Sequence, residues 1–330
     1  MKPIIGTSIG DPAGISSEVL VRALADQNVR DAARHVLIGS ADVIERALKY
    51  TNIDAKIRRL KPSNKSLDLS NDASVIDIID NGILDGIDLP LREDTLIGGQ
   101  ASASWLEEAD ELARAGLVDA LVMAPISAGS LKMADKLDLV VSPDPGLGYL
   151  VLVSGPLRVA HLTDHISLRE VCDVISKDLV FKGISDVNAA LKKWGIDNPR
   201  IGVSGLNPHA DGTEDREEIA PGVVMAKAKG INVEGPISPD SIFRQCIDGA
   251  YDIVLAMYHD QGHIAIKTWG FSGNCVIMMG PPYLNMSVAH GTAYDITGTG
   301  KADYTMIKNT MILAGSLISG SGFVLSLIHI

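Results

Sequence analysis

Short apolar runs that end in polar, glycine-rich turns and pass into amphipathic stretches recur along the chain. The run over 3–8 has the pattern of a buried strand and ends in the turn Gly10-Asp11-Pro12-Ala13-Gly14. A helix opens near Ser16, with Glu18 in its first turn and Val19, Leu20 and Leu24 on one face. A second strand over 36–40 feeds a helix over 41–48. Residues 50–95 alternate short apolar runs with Asp and Asn turns and match neither period. Over 101–115 the helical period returns, with Trp105, Ala109, Leu112 and Ala113 on one face, and leads to an apolar strand over 120–123. Further strands are expected over 149–153, 158–161, 201–204, 253–257 and 275–279, with helices over 167–174, 179–194, 221–229 and 303–317. Such strand–turn–helix units imply an α/β fold with mainly parallel sheets covered on both faces.

Length turns this into two domains, because 330 residues exceed one ordinary core. Hydrophobic residues make up 46% and aromatic ones only 4%, so the cores must be aliphatic. A net charge of −12 argues against a nucleic-acid partner, since phosphate binding needs a basic surface. Cys172, Cys246 and Cys275 are widely spaced, which fits a reducing, cytoplasmic setting and no disulfide framework. No apolar stretch reaches the roughly 20 residues a membrane span needs. The apolar tail over 323–330 is too short to span and reads as a last strand, a helix turn or a foreign extension.

Three apolar strands end in histidine-bearing turns. They carry Thr163-Asp164-His165, Gly205-Leu206-Asn207-Pro208-His209 and Ala256-Met257-Tyr258-His259-Asp260-Gln261-Gly262. Ligands of open α/β sheets bind beyond the carboxyl ends of the strands, so His165, His209 and His259 could share one point. Neutral imidazoles suit a borderline divalent ion and leave positions open for substrate. Asp164 and Asp260 are candidates to orient the rings. The bland alternative is that each histidine is a hydrogen-bonded turn residue. The pairs His161/His165 and His259/His263 also stand four apart, but neither sits in an HExxH motif. There is no GxGxxG fingerprint or P-loop, which disfavours a Rossmann reader and a P-loop kinase.

Together with Gly10-Asp11-Pro12-Ala13-Gly14, Gly235-Pro236-Ile237-Ser238-Pro239-Asp240 and Ser287-Val288-Ala289-His290-Gly291-Thr292-Ala293, these segments resemble the 4-hydroxythreonine-4-phosphate dehydrogenase family. That family includes relatives acting on tetronate phosphates and on terephthalate dihydrodiol. The resemblance implies two α/β/α domains with a cleft between them, as in isocitrate and isopropylmalate dehydrogenases. The first domain would be 1–130 plus 290–330 and the second 131–289. It implies a homodimer with the active site at the interface, and a metal (zinc, cobalt, magnesium or manganese) on His165, His209 and His259, the last from the partner subunit. His161 and His263 fall outside the pattern and stay turn residues. The segment from His290 to Gly300 resembles the adenosine-binding loop of isopropylmalate dehydrogenases, so Gly291, Thr292 and Asp295 would hold NAD or NADP; the alternative is a merely structural glycine turn. Lys267 matches a substrate-contacting lysine, and Asp260 stands with it as a catalytic candidate.

Two departures change the expected substrate. Where the family carries Gly-His-Thr-Glu, this chain reads Val141-Ser142-Pro143-Asp144-Pro145-Gly146. Asn285 replaces the family's substrate-binding arginine, Ala289 stands in place of a nearby aspartate, and the family's asparagine falls on Val276 with Asn274 close by. Losing a guanidinium removes the best phosphate clamp, and Asp144 adds charge of the wrong sign. The expectation is oxidation of a secondary hydroxyl in a small, non-phosphorylated hydroxy acid or diol, with or without a following decarboxylation. Alternatives are 4-hydroxythreonine-4-phosphate dehydrogenase itself, a metal-dependent decarboxylase or isomerase without NAD, and a phosphate acyltransferase-like enzyme; a pure binding protein fits least.

Overall fold

The computed structural model describes residues 2–62, 66–140, 144–270 and 274–324. The chain divides into two compact units, one of Met1–Val141 with Pro282–Ile318, the other of Ser142–Pro281 with Ser319–Ile330.

In the first unit six strands pair in the order Lys56–Leu60, Val75–Ile79, Arg34–Ile38, Ile4–Ser8, Ala120–Met123, Leu284–Val288, and every pairing is parallel. The central strands are apolar because helices cover both faces; Ile5, Leu37, Ile38 and Trp105 are fully buried. The region whose pattern matched no period supplies Lys56–Leu60 and Val75–Ile79. Lys56–Leu60 lies at the sheet edge, where Arg58 and Arg59 are tolerated, and Arg58 reaches Asp77 on the neighbouring strand at 2.6 Å. The helix read over 101–115 runs over Leu96–Arg114, capped by the Thr95 hydroxyl. Gly98 and Gly99 hid its first turn. Gly99 is needed there, because a Cβ would lie 1.9 Å from the Ser130 carbonyl oxygen on the short helix Ala128–Met133.

In the second unit the order is Cys275–Met279, Tyr149–Ser154, Leu157–His161, Ile253–Ala256, Ile201–Ser204, Val233–Ile237. Here too most pairings are parallel, as expected, but one strand runs against the rest. Tyr149–Ser154 pairs antiparallel with both of its neighbours, and only the remaining pairings are parallel. Gly155 and Pro156 alone join Tyr149–Ser154 to Leu157–His161, a link long enough for a hairpin and far too short for a crossover helix.

The borders also differ from those expected at 130/131 and 289/290. Ala128–Met133 packs on Leu96–Arg114, and Leu284–Val288 joins the first unit's sheet by hydrogen bonding alongside Ala120–Met123. The tail, expected in the first domain, leaves it at Ser319. Gly322 donates its N–H to the Trp194 carbonyl at 2.8 Å, and the Phe323 ring meets Trp194 edge-on, with the Arg158 guanidinium over its face at 4.5 Å. Residues 325–330 of that tail lie outside the described residues, as do Val141, Ser142 and Pro143. No helix among the described residues is long and apolar enough to cross a membrane.

Candidate metal centre and cofactor loop

Leu157–His161, Ile253–Ala256 and Ile201–Ser204 are adjacent and parallel, so the three histidine-bearing segments leave the second unit's sheet at the same edge. Hydrogen bonds continue past the strand ends. The Leu162 N–H donates to the Ala256 carbonyl at 2.8 Å and the Thr163 hydroxyl to the Met257 carbonyl at 2.8 Å. Gln261 ties two of the segments together: its amide oxygen accepts from Met257 N–H at 2.7 Å and its amide nitrogen donates to the Gly205 carbonyl at 2.8 Å.

Within one chain this brings His165 and His259 together, with ring centroids 5.0 Å apart. Potential ligand atoms of Asp164, His165 and His259 all lie within 4.8 Å of one another, the one such group among the described residues. His259 opens the helix His259–Trp269, and its Nδ1 is 2.7 Å from Asp260 Oδ1. His165 Nδ1 is 3.3 Å from Asp164 Oδ1. A carboxylate on Nδ1 favours the tautomer whose lone pair sits on Nε2, the ordinary way a protein prepares imidazole for a metal. The hydrogen bond with His259 in turn holds the Asp260 carboxyl below its usual range. Two oriented imidazoles and a carboxylate suit a borderline divalent ion.

His209 is not a member of this group. It lies exposed in the turn Pro208–Ala210 with φ of 58°, and Ala210 follows with φ of 54°. Each left-handed non-glycine residue costs about 1 kcal/mol, so the turn must be held from outside. Fully buried Asp215 does this, accepting from the N–H groups of Leu206 (2.7 Å), Asn207 (3.2 Å) and Gly212 (2.9 Å) and from the Asn207 side chain (2.9 Å). Within one chain the group is two histidines with Asp164, and the backbone set by Asp215 holds the turn that carries His209. Sequence reading assigned Asp215 and Gln261 no role of their own, since each acts by holding backbone groups, Asp215 within its own turn and Gln261 across to Gly205.

His161 and His263 do not behave as isolated turn residues. The His263 ring stacks on His259 at 3.6 Å between centroids and 16° between planes, and the His161 ring lies tilted beside the pair, 4.7 Å from His263 and 6.2 Å from His259. Burial pushes His161 down to about 3 and His263 to about 4, so both are neutral near pH 7. The four-residue spacing was the available signal. It required knowing that Leu157–His161 and His259–Trp269 lie together.

Lys267 is exposed, two turns beyond His259 on the same helix stripe as His263. Asn274 is buried with both amide atoms lacking partners among the described residues. Asn285 lies on Leu284–Val288, and its amide oxygen likewise has none.

In the first unit the loop from His290 to Gly300 is held by the N-terminal turn and helix. The Ile15 N–H donates to the Thr292 carbonyl at 3.0 Å, and Gly14 packs so closely that a Cβ would lie 2.7 Å from Thr292 Cβ. Buried Glu18 accepts from the N–H groups of Gly298 at 2.5 Å and Gly300 at 2.8 Å. The Arg92 guanidinium donates twice to the Thr297 carbonyl, at 3.0 and 2.7 Å. The Tyr294 hydroxyl lies 2.9 Å from Asp94 and 3.2 Å from Asp11. Burial raises the Asp11 carboxyl and takes Tyr294 to about 12. Open space surrounds the Cβ direction of Gly291, and Asp295 projects exposed from the single turn Tyr294–Ile296. A rigid loop with an open glycine and an exposed carboxylate fits a ribose-bearing group.

The family model described as "Pyridoxal phosphate biosynthetic protein PdxA" matches residues 31–314. A Novosphingobium aromaticivorans protein with the provisional name 4-hydroxythreonine-4-phosphate dehydrogenase is 61% identical over 98% of this chain and 97% of its own. The crystal structure of the Klebsiella pneumoniae 4-hydroxythreonine-4-phosphate dehydrogenase superposes with a TM-score of 0.82 at 34% identity, over 96% of this chain and 99% of that one. The terephthalate 1,2-cis-dihydrodiol dehydrogenase of Burkholderia xenovorans gives a TM-score of 0.69 at 27% identity, over 95% and 98%. A sheet edge that gathers carboxylate-oriented histidines, a glycine loop pinned by Glu18, and these full-length likenesses together place the chain in the PdxA family.

Proposed function

We propose that this PdxA-family chain, a dehydrogenase of CH–OH donors as its relatives are named, oxidises a secondary hydroxyl of a small hydroxy acid or diol with NAD or NADP and a divalent metal. The observation that carries the metal requirement is the pairing of His165 with Asp164 and of His259 with Asp260, on side chains whose ligand atoms share one locus. When bound, the metal would lower the pKa of a substrate hydroxyl and the nicotinamide would accept hydride.

The chain's own groups then have distinct tasks. Asp164 and Asp260 keep Nε2 of each imidazole basic and fix the ring planes. Lys267 Nζ donates to a substrate carboxylate or passes a proton, and Asn274 supplies neutral amide hydrogen bonds. Gly291, Thr292 and Asp295 hold the adenosine side of the cofactor, with Asp295 accepting from a ribose hydroxyl. His209 is the third imidazole in this proposal, and a homodimer in the cytoplasm is its working form.

Asn285 argues for a substrate without phosphate, because an amide cannot replace the charge or bidentate geometry of a guanidinium. The dihydrodiol-acting relative is consistent with that. A second reading, a phosphorylated substrate, is favoured by the names of the 61% identical protein and of a 36% identical Clostridium botulinum chain provisionally named D-threonate 4-phosphate dehydrogenase.

The test is NAD(P)H formation with a panel of hydroxy acids, dihydrodiol carboxylates, 4-phosphohydroxythreonine and D-threonate 4-phosphate, each with zinc, cobalt, magnesium or manganese. The expected result is a kcat/KM about tenfold or more higher for a non-phosphorylated member, a difference of about 1.4 kcal/mol. A preference of that size for a phosphorylated substrate overturns the substrate assignment. Consumption of substrate without any NAD(P)H would replace the dehydrogenase with a decarboxylase or isomerase. Light scattering checks the homodimer.

A further inference from the structure

We infer that His263 is a positioning residue for His259: its ring braces the face of the metal-side imidazole while Asp260 holds the edge. The inference deepens the metal-centre proposal and rests on it. The two rings are nearly parallel, 16° between planes, at 3.6 Å between centroids, which is full face-to-face contact. The four-residue helical spacing brings their Cβ atoms within reach of each other, but does not by itself make two rings coplanar.

What orients His263 is a hydrogen bond at its own Nδ1, 3.1 Å from the His259 carbonyl oxygen. Behind it stands His161, buried at 1% exposure, with its ring 4.7 Å from His263 and its Nδ1 anchored 2.8 Å from the Leu150 carbonyl. Gly262 permits this depth, since a Cβ there would lie 2.3 Å from His161 Nε2. The result is a stacked pair with a third, tilted ring beside it, in which each Nδ1 is committed to an oxygen. An aliphatic side chain at position 263 would fill the volume yet leave the plane of His259 free to rotate.

The experiment uses the full chain, stripped of metal and titrated with Co2+ against a competing chelator, with the visible d–d absorption recorded. Wild-type protein is expected to bind about one cobalt per chain; failure to do so sinks the metal centre itself and is read before any variant. Given binding, His263→Leu is expected to weaken Co2+ affinity about tenfold or more, in the range found for groups that orient metal ligands, and to shift the d–d band. His263→Phe keeps a flat ring and should restore affinity to within about threefold, a loss below 1 kcal/mol. Wild-type affinity and an unchanged band in the leucine variant overturn the proposal, as does a phenylalanine variant as weak as leucine. Far-UV circular dichroism verifies folding. Should the leucine variant not fold, His263→Gln carries the same expectations.

Discussion

The two regions we propose as ligand sites, each at strand ends, are organised by opposite means. In the second unit the candidate groups are side chains, with Asp260 hydrogen-bonded to His259 Nδ1 and Asp164 beside His165 Nδ1. In the first unit the loop from His290 to Gly300 presents mainly backbone, and buried Glu18 holds it by accepting from two of its N–H groups. A metal needs a few lone pairs aimed at one point, so the rings themselves must be braced. A dinucleotide needs a long, close-fitting surface, so the loop must be rigid while its outer edge stays open. The same residue type, a carboxylate, serves both: against an imidazole Nδ1 in one case, against peptide N–H in the other.

Removing an imidazole tests the first arrangement most severely. His259→Ala and His165→Ala are expected to abolish metal binding and to lower kcat/KM by about 10^4-fold or more, on the order of 5 kcal/mol, with NAD binding by calorimetry little changed. His209→Ala should also remove activity, and full activity in that variant would strike His209 from the site.

Acid should break the ring stack before it affects the glycine loop. His161 is held near 3 in the fold against an ordinary 6.5, so protons bind the unfolded chain first. Stability is then fully present above about pH 6.5 and falls as pH drops towards 3, with up to about 4 kcal/mol lost from this residue alone. Urea unfolding between pH 7 and 4 measures it; His161→Phe, which has no such group to titrate, should flatten the profile.

Asp215→Ala strips four N–H donors of their acceptor and should cost about 3 kcal/mol while disordering the turn that carries His209. An unfolding midpoint equal to wild type would remove Asp215 from its role.

The smallest expected effect sharpens the contrast between the regions. Glu18→Gln keeps the shape but turns one acceptor into a donor facing an N–H, at a cost of about 2 kcal/mol to the loop. The KM for NAD should rise about tenfold while Co2+ affinity stays at the wild-type value, a tenfold effect corresponding to about 1.4 kcal/mol. Loss of metal affinity in this variant would show that the two regions are not separately maintained.

Much of the fold was open to pattern reading. Buried strands such as Ile4–Ser8, Ala120–Met123 and Ile201–Ser204 are apolar because they are covered on both faces, and the amphipathic helices between them declare their period. Position in the sheet misled that reading elsewhere. Lys56–Leu60 looked like no strand because edge strands are allowed charge, and the antiparallel pairing of Tyr149–Ser154 with Leu157–His161 was not legible because strands do not state their direction. The helix Leu96–Arg114 was read short because Gly98 and Gly99 answer to Ser130, a neighbour in space rather than in sequence.

By itself, then, the sequence determined the α/β class, the aliphatic cores, the acidic surface charge and the membership of His165, His209 and His259 in recognisable family segments. Those properties live in composition, period and contiguous motifs. Tertiary structure alone decided that His161 and His263 stack behind His259, that Asp215 fixes the His209 turn, and that Glu18 pins Gly298 and Gly300. The Glu18 and His161 contacts reach elements distant in the chain, and the Asp215 and His263 contacts, though close in sequence, depend on backbone and ring geometry that no residue pattern states.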